Sequence, residues 1–517
     1  MSKPARSGDR IDRFSVSGTS QNKTPLTAFA YRSITPVTRF PNPLRLVILY
    51  IGLALARAGL IDRDRAVQTT ILAWPRIVTG IARMSKNAVD VAMVGVAVGT
   101  AAVAGVGFAG PFWGLAFAIG GGVAGGAIAL VSQRYGADAT EELGLAVRSS
   151  TLLIVVLSVP VTVAFWFVPH ELISVLSSNE RAIEYGATYL QVVGFGIPFA
   201  GLNLVGSRTL VGADNSYIAM QVRAGGALAN IGLNAVFIFG FGWGVAGAAL
   251  GTVLSNVVVT ATFAIGISRG RFPGIGEFPV QVDPLGTYLD PGTIRDLIRI
   301  GLPIGARNLV WTVAEFPMLS ILDIFGENTV AAFVIARRIW GIMNAPGWGF
   351  GLASSSLVGQ ALGRNDEATA EAYGRDIIRF AVATYALSAI LIALFAEQIV
   401  VLFASDSTSP EIPIAVDLIY AACAAVVFQG VSGAAAGPLD ASGDTRIPFA
   451  SQFLGMFLGS IPLAYLGATT ALGYWGLYLA FTAETTIPAA INYWRFRTDK
   501  WKSISEAYRP DVAAGDD

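Results

Sequence analysis

The sequence predicts an all-α polytopic membrane protein with twelve transmembrane helices, arranged as two six-helix lobes related by a parallel pseudo-two-fold repeat. The first observation behind this class is composition: 54% of the 517 residues are hydrophobic and only 14% are charged, whereas soluble domains carry roughly 25% charged residues. The second is a set of long uncharged runs, at 91–133, 149–169, 185–207, 224–268, 418–439 and 447–483. A membrane helix needs about 20 apolar residues, so the longest of these runs can each hold a helical hairpin. The third is an internal repeat, described below.

The chain begins with a segment that is not expected to cross the membrane. Residues 1–40 are rich in Ser, Thr, Lys, Arg and Pro, a composition typical of disorder. Residues 42–60 are apolar but include Arg45 and Arg57, which predicts an amphipathic helix lying on the membrane surface. A thirteenth span is the alternative, because this stretch is near the lower length limit for crossing a membrane. Residues 1–67 are interpreted as a cytoplasmic extension.

Hydropathy and turn signals divide the rest of the chain into two groups of six helices. The N-lobe, residues 68–268, is predicted to hold helices at 70–98, 101–133, 146–168, 184–212, 217–239 and 243–268. The C-lobe, residues 298–495, is predicted to hold helices at 298–324, 329–362, 375–403, 412–439, 446–467 and 471–494. A polar cytoplasmic linker, 269–297, joins the lobes, and residues 496–517 form a cytoplasmic tail.

The distribution of Lys and Arg predicts the orientation in the membrane. With the N-terminus inside, the cytoplasmic loops hold Arg134, Arg148, Arg269, Arg271, Arg364, Arg375, Arg446, Arg495, Arg497 and Lys500. The external loops hold Arg181 and several Asp and Glu residues. This positive-inside pattern predicts a multi-pass protein of the cell membrane with both termini in the cytoplasm.

Four pairs of motifs recur at nearly the same offset. "LAWP" at 72–75 pairs with "IGLP" at 300–303 at an offset of 228, and "VSQRYG" pairs with "VGQALG" at 227. "LVGADN" pairs with "LDASGD", and "GVAG" pairs with "GYWG", both at 229. Because each repeat holds an even number of helices, both halves enter the membrane from the same side, as in transporters built from parallel repeats. A substrate site is then expected between or within the lobes, near mid-membrane.

Several motifs resemble the multidrug and toxic compound extrusion (MATE) transporters. They are "DVAMVG", "VSQRYGA", "GWGVAGAALGTVLS", "GLPIGARN" and "ASSSLVGQALGRNDEATA", and the likeness runs from about residue 70 to residue 495. The resemblance implies a two-lobed antiporter that exports organic cations or drugs against an inward Na⁺ or H⁺ gradient. It implies no cofactor besides that coupling ion. The likeness is greatest to the archaeal and DNA-damage-inducible branch, because that branch carries an Asp in its first helix.

The resemblance implies a coupling-cation site in the N-lobe. Asp90 matches the first-helix Asp, and it directly precedes the uncharged run 91–133, where a charge is costly unless it faces the protein interior. Asn230 and Thr252 match polar positions of the fifth and sixth helices, and Asn234 falls where the sodium-site pattern has an Asp. Asn230 and Asn234 are four residues apart and therefore share a helical face. Na⁺ is favoured over H⁺, because these four oxygen-bearing side chains could surround one cation.

Two basic residues precede Asp90 on the same helical face. Lys86 lies four residues earlier and Arg83 seven residues earlier. A nearby cation favours the ionised carboxylate, which opposes proton binding by Asp90. Two hypotheses follow: a charge switch, in which Lys86 releases Asp90 when an ion or substrate arrives, or a fixed structural ion pair.

Candidate substrate contacts come partly from the resemblance. Ser207 falls about where the fourth helix of the family carries an Asn, and Asn203 lies one turn away. Gln429, in "VVFQGVSG" of the tenth helix, stands where another branch places a coupling Asp. Because a neutral Gln cannot carry a proton, coupling is assigned to the first lobe and Gln429 to the substrate.

A stripe on the seventh helix supplies further candidates. Arg307, Trp311 and Glu315 are spaced by four and share one face. A carboxylate beside an indole can hold an organic cation through its charge and the ring face. The alternative is an Arg307–Glu315 network that only ties helices together.

The sequence leaves one rival function open and disfavours another. A flippase for an anionic lipid-linked saccharide, from the same superfamily, is the rival hypothesis, because buried arginines suit phosphate; the basic residues are Arg83, Lys86, Arg208, Arg307, Arg337 and Arg338. An enzyme is disfavoured, because the sequence has no HExxH, nucleophile motif or P-loop. The expected partners are small organic cations or drugs and membrane lipids, not nucleic acid, and the expected state is a monomer. Cys423 and His170 are interpreted as a buried apolar residue and a loop residue.

Overall fold

The computed structural model describes residues 42–401 and 409–510. The chain divides into two compact units, Met1–Leu46 and Val47–Asp517. Of the first unit only residues 42–46 are described, and they begin the helix Pro43–Arg57. The disorder predicted for residues 1–40 concerns residues that the structure does not describe.

The fold is almost entirely α-helical, as predicted, and we number its long helical segments as spans 1 to 12. In the N-lobe, span 1 is Arg63–Ala97, span 2 Thr100–Gly136, span 3 Thr140–Phe167, span 4 Glu180–Gly194 with Ile197–Gly212, span 5 Ser216–Ala235 with the π-helical turn Val236–Gly240, and span 6 Gly244–Arg269. Between spans 3 and 4 lies the short helix Pro169–Ser174. By length and hydropathy alone, eight helices of the described residues could cross a membrane, or nine if the bent pair of span 4 counts as one.

The C-lobe repeats this arrangement. Span 7 is Pro291–Phe325, span 8 Glu327–Met343 with Ala345–Gly363, span 9 Glu367–Leu394, span 10 Glu411–Ser442, span 11 Arg446–Phe453 with the π-helical segment Leu454–Ser460 and Ile461–Thr469, and span 12 Tyr474–Arg497. Short helices lie at Ala396–Val401, Lys500–Ser505 and Glu506–Tyr508, and the strands Arg271–Phe272 and Gly276–Glu277 form a small hairpin between the lobes.

Asp and Asn side chains define where several spans begin. Asp62 accepts hydrogen bonds from the backbone of Asp64 and Arg65 at the start of span 1. Asn179, Asn215, Asp290 and Asp366 cap spans 4, 5, 7 and 9 in the same way. These side chains satisfy backbone N–H groups that have no partner within the helix. Because Asp290 and Pro291 begin span 7, its helix starts inside the segment predicted as linker.

Two predicted helices are broken by proline. Span 4 bends by 53° between Gly194 and Ile197, and Pro198 stands in the first turn of the helix that follows. Span 8 is interrupted at Asn344, and Pro346 stands in the first turn after the break. Proline lacks the N–H group that would continue the preceding helix, so it is tolerated where a new helix starts.

The repeat is visible in the backbone. Asp138 and Asn365 follow spans 2 and 8 with positive φ angles of 56°, and the second lies 227 residues after the first. Asp214 and Gly443 follow spans 4 and 10 with φ angles of 63° and 86° at an offset of 229. Asp214 and Gly443 lie within the paired motifs "LVGADN" and "LDASGD", and Asp138 and Asn365 each lie two residues after the paired motifs "VSQRYG" and "VGQALG". The backbone offsets equal the motif offsets, which confirms the predicted parallel repeat.

The lobes meet closely where spans 2 and 7 cross. A Cβ atom on Gly122 would lie 2.7 Å from the carbonyl oxygen of Gly301, and one on Gly301 would lie 2.6 Å from the carbonyl oxygen of Gly122. Only glycine allows the two backbones to approach this closely, a common way to pack helices in membranes. The central cavity described below lies beside this contact.

Candidate functional site

Asp90, in the last third of span 1, makes two close contacts. Its Oδ2 lies 2.7 Å from Lys86 Nζ, one helical turn earlier. Its Oδ1 accepts a hydrogen bond of 2.9 Å from Asn234 Nδ2 in span 5. Both charged side chains are only 17% exposed, so one ammonium group compensates a carboxylate that is mostly shielded from solvent. A charge within a membrane protein needs such a partner.

The four predicted coupling residues form one hydrogen-bonded chain. Asn234 Nδ2 also donates to Asn230 Oδ1 at 3.3 Å. Asn230 Nδ2 donates to the hydroxyl oxygens of Thr252 at 3.2 Å and Ser255 at 3.3 Å, both in span 6. Asn230 and Asn234 are almost fully buried. Sequence reasoning missed Ser255, although it lies three residues after Thr252 and therefore shares its helical face.

One oxygen of this chain has no partner. Asn234 Oδ1 is buried and accepts no hydrogen bond from any residue that the structure describes. It points at Gly251, where a Cβ atom would overlap with it. In the described part of the chain, no group of three or more His, Cys, Asp or Glu side chains converges to hold a metal ion. A cation here would therefore be held by one carboxylate and neutral oxygens.

Arg83 does not accompany Lys86, although the sequence placed both beside Asp90. Its guanidinium carbon lies 5.2 Å from the centre of the Phe117 ring and 5.4 Å from that of Trp348. The residue lines a cavity between the lobes instead. The basic residue that compensates Asp90 in the described structure is thus Lys86 alone.

The cavity between the lobes has a volume of about 670 Å³, within the range typical of small-molecule sites. Trp311, Glu315 and Gln429 line it, as a substrate site requires. Ser207 and Asn203 are not among its lining residues. Asn203 Nδ2 donates to Asn256 Oδ1 at 2.8 Å, and its Oδ1 accepts from Thr260 at 2.8 Å. These bonds join spans 4 and 6.

Two bidentate ion pairs support the C-lobe wall of the cavity. Arg307 lies 2.7 and 3.1 Å from the carboxylate oxygens of Asp440 in span 10. Arg337 lies 2.7 Å from each carboxylate oxygen of the fully buried Glu484 in span 12. The suggested Arg307–Glu315 network is therefore wrong, because Arg307 pairs with Asp440. Bidentate geometry makes these among the stronger hydrogen bonds of the fold.

Asp440 and Glu484 were missed by sequence reasoning, yet a signal was present. Asp440 ends the uncharged run 418–439, and Glu484 ends the uncharged run 447–483. Asp90 was singled out because it stands at the edge of such a run. The same criterion would have found both residues.

Comparison with known proteins places this architecture in a family. The MatE family model matches residues 75–236 and 303–466, more than half of the chain. The two matches begin at Pro75 and Pro303, which are the prolines of "LAWP" and "IGLP". The chain is 28% identical over 443 residues to the probable multidrug resistance protein NorM of Rhodopseudomonas palustris, covering 84% of this chain and 92% of that protein. It is 23% identical over 431 residues to the probable multidrug resistance protein YoeA of Bacillus subtilis, covering 81% and 90%.

Solved structures share the fold. A MOP-superfamily transporter from Pyrococcus furiosus superposes with a TM-score of 0.77 at 23% identity, over 86% of this chain and 97% of that one. An outward-facing MATE transporter of the MOP superfamily superposes with a TM-score of 0.77 at 24% identity, over 85% and 96%. With both halves of the chain matched by the family model and the two-lobed fold in common, the protein belongs to the MatE family of membrane transporters.

Proposed function

We propose that this protein is a secondary active antiporter that exports drug-like organic cations in exchange for Na⁺. The observation that carries the proposal is the single carboxylate of Asp90, compensated by Lys86 at one end of a buried chain of amide and hydroxyl groups. Relatives named as multidrug resistance proteins support export of small molecules. They do not favour the lipid-linked saccharide flippase, which is not proposed further.

The coupling cation replaces Lys86 in this proposal. The ammonium group of Lys86 places one positive charge 2.7 Å from the Asp90 carboxylate. A sodium ion that binds Asp90 carries the same charge, so the exchange conserves charge in the membrane interior, where an unpaired carboxylate is costly. Lys86 then turns toward the cavity. This is the charge switch rather than the fixed ion pair.

Sodium is favoured over the proton because of the neutral oxygens beside Asp90. A hard cation binds carboxylate, amide and hydroxyl oxygens, and the unpartnered Oδ1 of Asn234 is such an oxygen, with Asn230 and Thr252 next to it. A proton site would need the carboxylate alone. The presence of Asp90 in the first helix also supports our assignment to the archaeal and DNA-damage-inducible branch.

The cavity takes the exported molecule. Trp311 and Glu315 lie on one face of span 7 and line it. In the described residues, no basic side chain lies within 4.0 Å of the Glu315 carboxylate, so this carboxylate is available to a cation beside the indole ring. Gln429 adds an amide group on the same wall.

Dye efflux from vesicles that contain the purified protein tests the proposal. At fixed pH, replacing Na⁺ with K⁺ is expected to stop efflux of an ethidium-like dye. At fixed Na⁺, collapsing the proton gradient is expected to leave efflux intact. If only the second treatment stops efflux, the coupling ion is H⁺ and the sodium assignment is wrong. If the dye is never exported under either gradient, the antiporter itself is wrong.

A further inference from the structure

The N-lobe wall of the cavity is strongly basic. Arg76 and Arg83 of span 1 and Arg208 of span 4 line it. Arg223 of span 5 lies close enough to Arg76 and Arg208 for the guanidinium groups to repel one another. Four positive charges are thus gathered on three neighbouring helices of one lobe. None of the four has an arginine at the equivalent position of the C-lobe repeat.

These arginines lack the carboxylates that accompany the others in the cavity. Within the described ranges, no Asp or Glu oxygen lies within 4.0 Å of Arg76, Arg83, Arg208 or Arg223. By contrast, Arg307 and Arg337 on the opposite wall each hold a bidentate carboxylate. Among the described residues, buried nitrogen atoms of Arg76, Arg208 and Arg223 find no hydrogen-bond partner. The positive charge of the N-lobe wall is therefore uncompensated by this part of the chain.

Such an arrangement is costly unless an anion completes it. A buried donor without a partner destabilises the fold, and more so when it is charged. Like charges placed together in a medium of low dielectric constant add to this cost. The planar guanidinium group matches an oxyanion with two parallel N–H···O bonds, which is why arginine recognises carboxylate and phosphate. The C-lobe wall, in turn, presents the carboxylate of Glu315, which forms no ion pair within the described part of the chain.

We propose that the cavity selects drug-like molecules that carry an oxyanion, such as a carboxylate, which Arg76 and Arg208 bind while any cationic end lies toward Glu315 and Trp311. This inference rests on the proposed export function and narrows its substrates from organic cations in general to those that also carry an oxyanion, which are zwitterions. The guanidinium group of Arg83 contacts the rings of Phe117 and Trp348. Along span 1, Arg83 lies between Arg76 and Asp90. Fourteen residues separate Arg76 from Asp90, about 21 Å along a helix, so the oxyanion and the coupling ion bind at separate places.

Binding of two forms of one dye tests the inference. Rhodamine B has a free carboxylate at neutral pH, and its ethyl ester differs only in having that group blocked. Fluorescence anisotropy on the purified protein in phosphatidylcholine nanodiscs, without any ion gradient, measures both dissociation constants. We expect the free acid to bind at least about tenfold more tightly, the difference that a charge-assisted hydrogen bond makes. Arg76→Gln and Arg208→Gln are each expected to abolish this preference.

Matched variants separate the site from folding effects. Arg208→Lys keeps the charge and is expected to retain part of the preference, whereas Arg338→Gln, an exposed arginine outside the cavity lining, is expected to retain all of it. Equal binding of acid and ester by the parent protein would overturn the inference, as would a preference unchanged in both arginine variants. A preference that disappears when phosphatidylglycerol is added would also overturn it, because a lipid phosphate would then occupy the arginines. If the ester is bound and exported without a preference for the acid, the antiporter proposal stands and this inference alone is wrong.

Discussion

Gln133 and Gln360 make the same hydrogen bond from opposite lobes. Gln133 Nε2 donates to the carbonyl oxygen of Ala441 at 2.6 Å, and Gln360 Nε2 donates to that of Gly212 at 3.1 Å. Donors and acceptors are both related by the repeat, at offsets of 227 and 229 residues. Gly363 also lies close to the carbonyl oxygen of Gln133. These contacts hold the two lobes together at the ends of spans 2 and 8, on the side predicted to be cytoplasmic.

Enlarging Gly363 is expected to open this closure. A side chain there would overlap with the backbone oxygen of Gln133, so Gly363→Leu should shift the lobes apart and expose the cavity to the cytoplasmic side. Labelling is measured in a protein that carries Cys423→Ala and Ser355→Cys, so that its one thiol lines the cavity. An impermeant maleimide applied from the cytoplasmic side should react with this thiol about tenfold faster when Gly363→Leu is added. A tenfold change corresponds to about 1.4 kcal/mol in the equilibrium between closed and open lobes. Gly107→Leu, where no atom lies within 4 Å of an added Cβ, is the control. An unchanged labelling rate would contradict this role for the contact.

Neutralising Asp90 is expected to abolish uphill efflux. Asp90→Asn removes the only carboxylate of the coupling chain and leaves Lys86 without its partner 2.7 Å away. Dye efflux under a Na⁺ gradient should fall to the background of empty vesicles while expression remains. The double variant Asp90→Asn, Lys86→Met should recover the thermal stability lost by the single variant, because no unpaired charge remains, but should not recover efflux. Full efflux by Asp90→Asn would reduce Asp90 to a structural residue.

Gly251 is expected to be required for the coupling chain. An alanine there would overlap with Asn234 Oδ1, so Asn234 must turn away from Asp90 and Asn230. Gly251→Ala should cost about 1–3 kcal/mol of stability and raise the Na⁺ concentration needed for half-maximal efflux. Gly225→Ala in span 5, which has open space around an added Cβ, should leave the sodium dependence unchanged and should not destabilise the protein, because alanine favours a helix more than glycine does. A Gly251→Ala protein with normal sodium dependence would argue against Asn234 as a ligand.

The cap of span 9 predicts a pH-dependent contribution to stability. Thr369, through its hydroxyl and its backbone N–H, lowers the pKa of Asp366 below its usual value. A carboxyl with a lowered pKa stabilises the fold above its unfolded-state pKa, about 3.9, and this contribution is lost as the pH falls through the lower folded-state value. Asp366→Ala should therefore cost about 1 kcal/mol at pH 7, and progressively less below pH about 4, in thermal unfolding of the purified protein. Asp366→Asn, which caps without titrating, should show little loss at pH 7.

Orientation can be tested with one cysteine. The Glu180 position begins span 4 on the side predicted to be external and is exposed. With Cys423→Ala removing the buried native thiol, Glu180→Cys should react with an impermeant maleimide on intact cells. A cysteine at Gly274, in the turn between the two short strands, should react only after the cells are opened. Labelling of Gly274→Cys in intact cells would reverse the assigned topology.

Much of the architecture could be predicted from the sequence. Uncharged runs predict helices because a membrane leaves no alternative for the backbone, and the motif offsets predict the repeat that Asp138, Asn365, Asp214 and Gly443 display. The breaks in spans 4 and 8 were missed, because proline in a membrane helix can kink it, end it or be tolerated. Which of these happens depends on neighbouring helices.

The coupling chain could be predicted from the sequence more fully than the cavity. Spacing within one helix places Lys86 beside Asp90, and Asn230 beside Asn234. The family resemblance then predicted that these two helices meet. The packing of the helices was needed to show that Arg307 pairs with Asp440 and that Arg83 contacts Phe117 and Trp348. It was also needed to show that Arg76 and Arg208 have no carboxylate partner among the described residues. The physical reason is that contacts between helices depend on crossing positions and rotations. Helical periodicity specifies which residues share a face, but not which face of another helix lies opposite.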